Sequence, residues 1–272
     1  MVNKPNQKIN FISGFKLSIT NLSTVFNQLH KSNERVNLNL LSDESGYNLR
    51  KVKIYLSHLV AFGLIQKVTQ KHTSYGEVVS KYDKYLENHG TLWTIHYNLS
   101  SNAQLVIWNR LFNGVITGIS HDIDYLLINF YDLKGGMAEY TFNRNVKKEI
   151  KMTLDTYTDE RFSKLELIEK YEGKYKGIKN NKVPNLILLA ACITFKDKYY
   201  PGATAVDVKE LCHANNSPGK VFFLDEDVVR KQLEELKNEG LIGIESRADL
   251  DQIRISSDLT VEAVLENYYK TL

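Results

Sequence analysis

The chain has 272 residues, of which 43% are hydrophobic and 25% charged, a composition ordinary for a soluble globular protein. Its formal net charge of +3 is too small for a strong overall field, so affinity for nucleic acid would depend on local basic clusters. The two cysteines, Cys192 and Cys212, exclude a disulfide framework and a cysteine-based zinc site, and we expect both to be small core residues. The first residues lack the apolar core of a signal peptide, and the longest apolar run, 186–193, is too short to span a bilayer. These features predict a cytoplasmic protein.

The segment 46–65, GYNLRKVKIYLSHLVAFGLI, has the helical spacing of a buried face. The apolar positions are Leu49, Val52, Leu56, Leu59 and Val60. They predict a helix over 48–62 that ends near Gly63, because glycine tolerates the backbone geometry that ends helices. Arg50, Lys51 and Lys53 project from the other face.

This helix and the polar stretch after it have the pattern of a winged helix-turn-helix. Residues 64–83 are predicted to form strand, wing and strand, with Lys67 and Lys71 in or near the wing, where lysines typically contact phosphate. Two alternatives stay open. The helix could be a packing helix with solvated lysines, or the unit could be a protein–protein module.

Residues 84–112 are rich in aromatic side chains and predict a helical, hydrophobic hub between domains. His96 lies beside two aromatic residues, and we expect a hydrogen-bonded core histidine. A further helix is predicted over 120–133, with Ser120 or Asp122 near its cap.

Residues 141–157 predict a second basic helix, capped by Thr141, with a buried stripe of Phe142, Val146, Ile150, Leu154 and Tyr157. A basic stripe occupies another face, where a solvated helix would usually mix signs. The alternative to nucleic-acid contact is an ordinary solvent-exposed helix. The predicted DNA-binding residues of the two segments are Asn48, Arg50, Lys51, Lys53, Lys67, Lys71, Arg144, Lys147, Lys148 and Lys151.

The rest of the chain begins with a predicted helix and a basic loop over 159–183, and the loop is interpreted as a flexible linker. The alternative is an arm that orders on a nucleic-acid backbone. Pro184 opens a buried helix, and the pattern of helix, turn, helix and wing then recurs, with mixed charges on its second helix. We therefore predict a mainly α protein with small β wings, in which winged-helix-like units surround the hub. The predicted domains are an N-terminal winged-helix-like domain (1–83), a central helical domain (84–183) and a C-terminal winged-helix-like domain (184–272).

No Walker loop, dinucleotide fingerprint, nucleophile elbow or HExxH motif is present. Asp159, Glu172 and Lys174 give a weak match to the carboxylates and lysine of a metal-dependent nuclease. The acidic groups at 225–227 and at Asp249 and Asp251 are better explained by caps and turns. The catalytic residues and the metal ligands are therefore left unassigned.

Four stretches in order resemble the SspB-like family, which is encoded beside bacterial DNA phosphorothioation and phage-defence genes. They are SGYNLRKVKIYLSHLVAFGLI, TLWTIHYNLS with WNRLFN, YTFNRNVKKEIKMTLDTY, and SPGKVFFLDEDVVRKQLEEL. The chain departs from the family pattern at 11–17, which lacks the expected His and Glu, and at Tyr47, where a lysine is expected.

The resemblance implies a role in DNA phosphorothioation, alongside a cysteine desulfurase, an ATPase and a PAPS-reductase-like protein. It also implies a DNA-nicking endonuclease that opens one strand for sulfur incorporation, with Mg²⁺ or Mn²⁺ as the expected cofactor. The alternative is a non-catalytic winged-helix protein, either a DNA-docking scaffold or a transcriptional regulator.

Overall fold

The computed structural model describes residues 8–12, 17–29, 36–159, 161–247 and 250–272, and in these the chain is mainly helical. The α-helices are α1 (Ile19–Leu29), α2 (Leu38–Ser45), α3 (Leu49–Ala61), α4 (Ser74–Tyr82), α5 (His89–Ser100), α6 (Val106–Arg110), α7 (Ile123–Leu127), α8 (Glu139–Phe142), α9 (Lys148–Asp159), α10 (Asn185–Tyr199), α11 (Val208–His213), α12 (Pro218–Val221), α13 (Glu226–Asn238) and α14 (Val261–Lys270). The strands are β1 (Ile168–Tyr171), β2 (Lys174–Gly177), β3 (Ala205–Asp207), β4 (Gly243–Arg247) and β5 (Leu250–Arg254). The predicted mainly α fold is confirmed.

Three of the α-helices continue into tighter or wider turns. The π-helical turn Leu111–Val115 extends α6, and the 3₁₀-helix Ile128–Leu133 extends α7. A second π-helical turn, Asn143–Lys147, joins α8 to α9, so that 139–159 is one continuous helix, called here the basic helix. A further 3₁₀-helix spans Arg161–Leu165. The basic helix begins two residues before Thr141, which therefore lies inside it and is not its cap.

The N-terminal segment differs from its prediction after α3. Only one antiparallel bridge, between Ile65 and His72, stands where a wing was predicted. The second predicted strand is wrong, because Ser74–Tyr82 is helical. Thr73 caps this helix through its hydroxyl, which accepts a hydrogen bond from the Gly76 amide at 2.9 Å.

The prediction of a basic loop within 159–183 is also wrong, since β1 and β2 form an antiparallel hairpin in this stretch. Its two central residues, Glu172 and Gly173, have φ of 48° and 76°, the positive values that a tight hairpin turn requires. The C-terminal segment has helices and a final hairpin where they were predicted, in α10, α11, α13, β4 and β5, whereas β3 was not predicted and α12 lies where a tight turn was predicted. Its three strands pair antiparallel in the order β3-β5-β4.

The buried side chains of the described residues form one continuous core that draws on all three predicted domains. The last helix, α14, returns to the first segment, where Tyr269 stacks on Tyr82 with ring centroids 5.3 Å apart. The Gly90 amide donates to the Tyr268 hydroxyl at 3.1 Å. A Cβ at Gly90 would lie 2.2 Å from that ring, so only glycine permits this contact.

His96 stands at the centre of this core, fully buried, as the sequence predicted. Burial lowers its pKa to about 3, so the imidazole is neutral. It donates from Nε2 to the Val221 carbonyl (2.9 Å) and accepts at Nδ1 from the Tyr157 hydroxyl (2.5 Å). Tyr157 in turn accepts from the Trp108 indole at 3.2 Å. The network ties α5, α6, the basic helix and α12 together.

Cys192 and Cys212 are both buried and unpaired by any disulfide, in agreement with their predicted role in packing. Of the helices in the described ranges, none combines the length and the apolarity needed to span a bilayer.

Candidate nucleic-acid interface

Local sequence signals position α3. Gly46, with φ of 72°, ends α2, and the Asn48 side chain begins α3 by accepting a hydrogen bond from the Lys51 amide at 3.0 Å. Gly63 has φ of 78° and follows the end of the helix, as predicted. The Asn48 side chain, one of the predicted DNA contacts, therefore serves as a helix cap.

A polar clip fixes the turn between α2 and α3. The Tyr47 hydroxyl donates to Asn21 Oδ1 at 2.9 Å, and the side-chain Nδ2 of Asn21 donates to the Tyr55 hydroxyl at 3.2 Å. The Ser42 hydroxyl also donates to the Tyr47 carbonyl at 2.6 Å. Because α1 and α3 both contribute to the clip, the exposed face of α3 has a fixed orientation. Tyr47, which stands where the resembling family would place a lysine, is part of this scaffold.

The outer face of α3 borders a cavity of about 290 Å³, called here the lysine cleft. Lys8, Lys53 and Lys67 line it, together with the amide side chains of Gln70 and Gln104. No carboxylate is among the described residues that line this cavity. Three ammonium groups around one concave surface make a positive field that favours an anion.

A second groove, of about 490 Å³, continues from Lys53 along α3, past Arg50 and Phe11. Arg50, Lys51 and Lys53 are exposed, and Lys67 is exposed in the turn after α3. Within the described ranges, these four cations and Lys8 make no ion pair with a carboxylate. Exposed cations without an acidic neighbour are the groups that phosphate contacts require.

Lys67 and Lys71 lie in the tight turn that replaces the predicted wing. The Gln66 amide donates to the Lys71 carbonyl at 2.8 Å, and the Thr69 hydroxyl donates to the Gln66 side chain at 2.6 Å. Both lysines are exposed. The turn therefore presents cations next to α3 without a two-stranded wing.

The basic helix buries its predicted stripe completely, since Phe142, Val146, Ile150 and Leu154 have no exposed surface. Its basic face is partly neutralised. Lys147 pairs with Asp124 of α7 at 2.5 Å, and Lys151 pairs with Asp155. Arg144 and Lys148 are exposed and make no ion pair with any residue that the structure describes. Sequence periodicity identified the stripe but not the acid that reaches it from α7.

The segment 8–12 connects the two basic elements. The Glu149 carboxylate of the basic helix accepts from the Ile12 amide at 2.8 Å, and His58 of α3 donates from Nε2 to the Phe11 carbonyl at 3.1 Å. Phe11 also packs edge-on against His58 (4.8 Å) and Trp108 (6.1 Å). Burial raises the pKa of Glu149 to about 7 and lowers the pKa of His58 to about 4. Both basic elements are thus anchored to one short segment.

A family model described as a protein of unknown function, DUF4007, matches residues 57–269, more than three quarters of the chain. The chain belongs to the DUF4007 family. No curated protein matches it.

Two solved structures share the fold of this DUF4007 protein. One is described as "Magnesium ion-bound SspB crystal structure", with a TM-score of 0.78. The other, "SspB crystal structure", has a TM-score of 0.76. Each is 15% identical to this chain, and the match covers 96% of this chain and 87% of the other. The predicted resemblance to the SspB-like family is confirmed at the level of the fold.

The described residues of this DUF4007 chain contain no group of three or more His, Cys, Asp or Glu side chains that could hold a metal ion. Two residues of the weak match to a metal-dependent nuclease lie in the β1–β2 hairpin: Glu172 is in its turn, and Lys174 is the first residue of β2. The side chain of the third residue, Asp159, is outside the described residues.

The other predicted acidic groups have ordinary partners. Asp225 pairs with Lys179 at 2.5 Å, and Arg230 is held by both Glu226 (2.7 Å) and Asp251 (2.6 Å). Asp249 and the stretch 13–16, where the family's His and Glu are absent, lie outside the described residues. The candidate site is therefore a binding surface built from cations.

Proposed function

We propose that this protein is a DNA-binding component of a bacterial phosphorothioation-linked anti-phage defence system. The observation that carries the proposal is the cluster of five cations around α3. None of the five forms an ion pair with a carboxylate in the described part of the chain. We add Arg144 and Lys148 of the basic helix as further proposed phosphate contacts, because they too are exposed and make no ion pair with a described residue. The link to phosphorothioation comes from the resemblance to the SspB-like family.

In this proposal, lysine ammonium groups bind backbone phosphates, which supplies affinity without sequence readout. The α2–turn–α3 unit acts as a helix-turn-helix, with the N-terminal half of α3 presented to a groove. Arg50, Lys51 and Lys53 lie in that half. The protein would act in the cytoplasm with a cysteine desulfurase, an ATPase and a PAPS-reductase-like protein.

The C-terminal unit supports a different role in the same proposal. We propose that this unit is winged-helix-like, which its order of helices and strands and its sheet order β3-β5-β4 support. The exposed face of α13 is neutralised, since Arg230, Lys231 and Lys237 each pair with an acid. We expect this unit to stabilise the fold or contact a protein rather than to bind DNA.

The test is a fluorescence-anisotropy titration of a duplex of about 30 base pairs over a range of salt concentrations. If five cations contact phosphate, log K should fall with log salt at a slope of about −4.5, because each contact contributes about −0.9. Absence of binding at low salt would overturn the proposal and leave a protein–protein role.

Nicking by the protein is a separate question, which the resemblance raises. Supercoiled plasmid incubated with the protein and Mg²⁺ or Mn²⁺ would yield open circles if the protein is a nickase. A variant with Lys53→Ala and Lys67→Ala is the control, because it should lose nicking only through lost binding. Duplex binding without open circles would favour the docking scaffold or regulator.

A further inference from the structure

Exposed apolar side chains are concentrated in one short part of the chain. Twelve large hydrophobic side chains are exposed among the described residues, and five of these lie between 119 and 140. They are Ile119 (66% exposed), Tyr125 (53%), Ile128 (59%), Tyr131 (47%) and Tyr140 (73%). A soluble protein rarely gathers such groups without a binding partner.

Three of these residues are tyrosines, and contacts between the 123–133 region and the basic helix lie beside them. Asp124, next to Tyr125, pairs with Lys147 of the basic helix at 2.5 Å. The Tyr131 ring stacks on Phe142, also in the basic helix, with centroids 5.5 Å apart. We call Tyr125, Tyr131 and Tyr140 the tyrosine platform.

Two rings of the platform each contact a neighbouring side chain. Tyr125 stacks on His121 with centroids 4.1 Å apart and an interplanar angle of 6°. The Arg144 guanidinium lies over the Tyr140 ring, 5.6 Å from its centroid. Aromatic surface that is already ordered loses little entropy when a ligand stacks on it.

Charged side chains of both signs surround the platform. Three carboxylates near it have a cationic partner, namely Asp124 with Lys147, Asp132 with Arg110, and Glu139 with Lys134, and a fourth, Asp122, caps α7 by accepting from the Tyr125 amide at 2.8 Å. Arg144 and Lys148, by contrast, have no acidic partner among the described residues. The platform therefore combines flat aromatic faces with cations that remain available for phosphate.

We propose that the tyrosine platform binds unpaired nucleotides of a nucleic-acid strand. Their bases would stack on Tyr125 and Tyr140, while Arg144 and Lys148 bind the intervening phosphates. The ligand is a single strand because a duplex hides the faces of its bases. This inference rests on the proposed function, since it assigns Arg144 and Lys148 of the basic helix to the same DNA-binding role, and it adds that one part of the interface selects unpaired DNA.

The test uses anisotropy with a labelled oligothymidylate of about 15 nucleotides, and in parallel with duplex DNA. Changing both Tyr125→Ala and Tyr140→Ala should weaken oligothymidylate binding at least about tenfold, because each stacked base contributes substantially. Duplex binding should stay within about twofold, since its main contacts lie at α3. Tyr125→Phe with Tyr140→Phe should bind like the wild type, because phenylalanine keeps the stacking face.

Tyr171→Ala is the matched control, since Tyr171 is 71% exposed and lies in the β1–β2 hairpin. Circular dichroism would confirm that each variant is folded. An alanine pair that binds oligothymidylate as tightly as the wild type overturns the inference, as does an equal loss with Tyr171→Ala. Duplex binding without oligothymidylate binding also overturns it while leaving the proposed function intact; loss of both ligands in the wild type overturns both.

Discussion

Removing charge from the lysine cleft should weaken DNA binding by a calculable amount. The variant changes Lys53→Ala and Lys67→Ala, which leaves the cleft with Lys8 alone among its three lysines. Each phosphate contact contributes about 0.9 to the dependence of log K on log salt. Losing two contacts should make the slope shallower by about 1.8. At about 0.1 M salt, the same relation predicts duplex affinity about 60-fold lower, or about eightfold for each lysine.

The assay is duplex anisotropy over a series of salt concentrations, with Lys231→Ala as the control. Lys231 lies on α13, and its side chain is 79% exposed, so its removal deletes the same charge from a face that we expect not to bind DNA. If the Lys53/Lys67 variant showed the same slope of log K against log salt as the wild type, the reasoning would be refuted. An equal effect of Lys231→Ala would show that only net charge matters.

Three further predictions concern single residues. Asp124→Asn should release Lys147 from its ion pair and tighten duplex binding up to about eightfold, with a slope steeper by about 0.9; unchanged affinity would show that Lys147 does not contact DNA. The pKa of Glu149 is raised to about 7 from an ordinary value of 4.5, so between these two pH values the folded state keeps a proton on Glu149 that the unfolded state has lost. The free energy of unfolding that this group contributes is therefore lost as the pH rises from 4.5 to about 7. Glu149→Gln should therefore gain stability relative to the wild type as pH rises from about 5 to 8, measured by urea unfolding, with a limiting slope of about 1.4 kcal/mol per pH unit; a difference that is constant with pH would contradict this. His96, whose pKa is lowered to about 3, contributes stability that is present above its unfolded pKa of about 6.5 and lost as pH falls below it. His96→Asn should cost about 1–3 kcal/mol at pH near 7, because buried hydrogen-bond partners are left unsatisfied, and should unfold with a weaker dependence on acid; an unchanged urea midpoint at that pH would be evidence against the network.

The features that the sequence predicted well depend on local periodicity and local caps. The stripe from Phe142 to Leu154 repeats every four residues and is buried throughout, and α3 lies within the predicted 48–62 and ends before Gly63 as predicted. In each case the residues within a few turns contain the whole signal.

The misassigned helix α4 shows where local signals fail. Valines at 78 and 79 favour a strand by propensity, and Gly76 disfavours a helix. The structure requires that glycine, because a Cβ there would lie 1.9 Å from the Leu64 carbonyl oxygen. Tertiary packing thus overrode propensity through a contact that the sequence does not reveal. The β1–β2 hairpin was missed for a related reason, since Glu172 occupies a position with positive φ that usually marks glycine or asparagine.

The candidate site was only partly predictable. The clusters of lysine and arginine on α3 and the basic helix were visible as helical stripes. The ion pair that neutralises Lys147 of the basic helix was not visible, because Asp124 reaches it from a helix 23 residues earlier in the chain. The lysine cleft was also invisible, since Lys8 joins Lys53 and Lys67 only through the path of segment 8–12 across α3.

Lysine footprinting tests the central claim most directly. The protein is acetylated briefly with and without saturating duplex DNA, and modification at each lysine is quantified by mass spectrometry. The account predicts that DNA protects Lys51, Lys53 and Lys67 strongly while Lys231 reacts equally in both samples. Equal modification of the three α3-proximal lysines with and without bound DNA would contradict it.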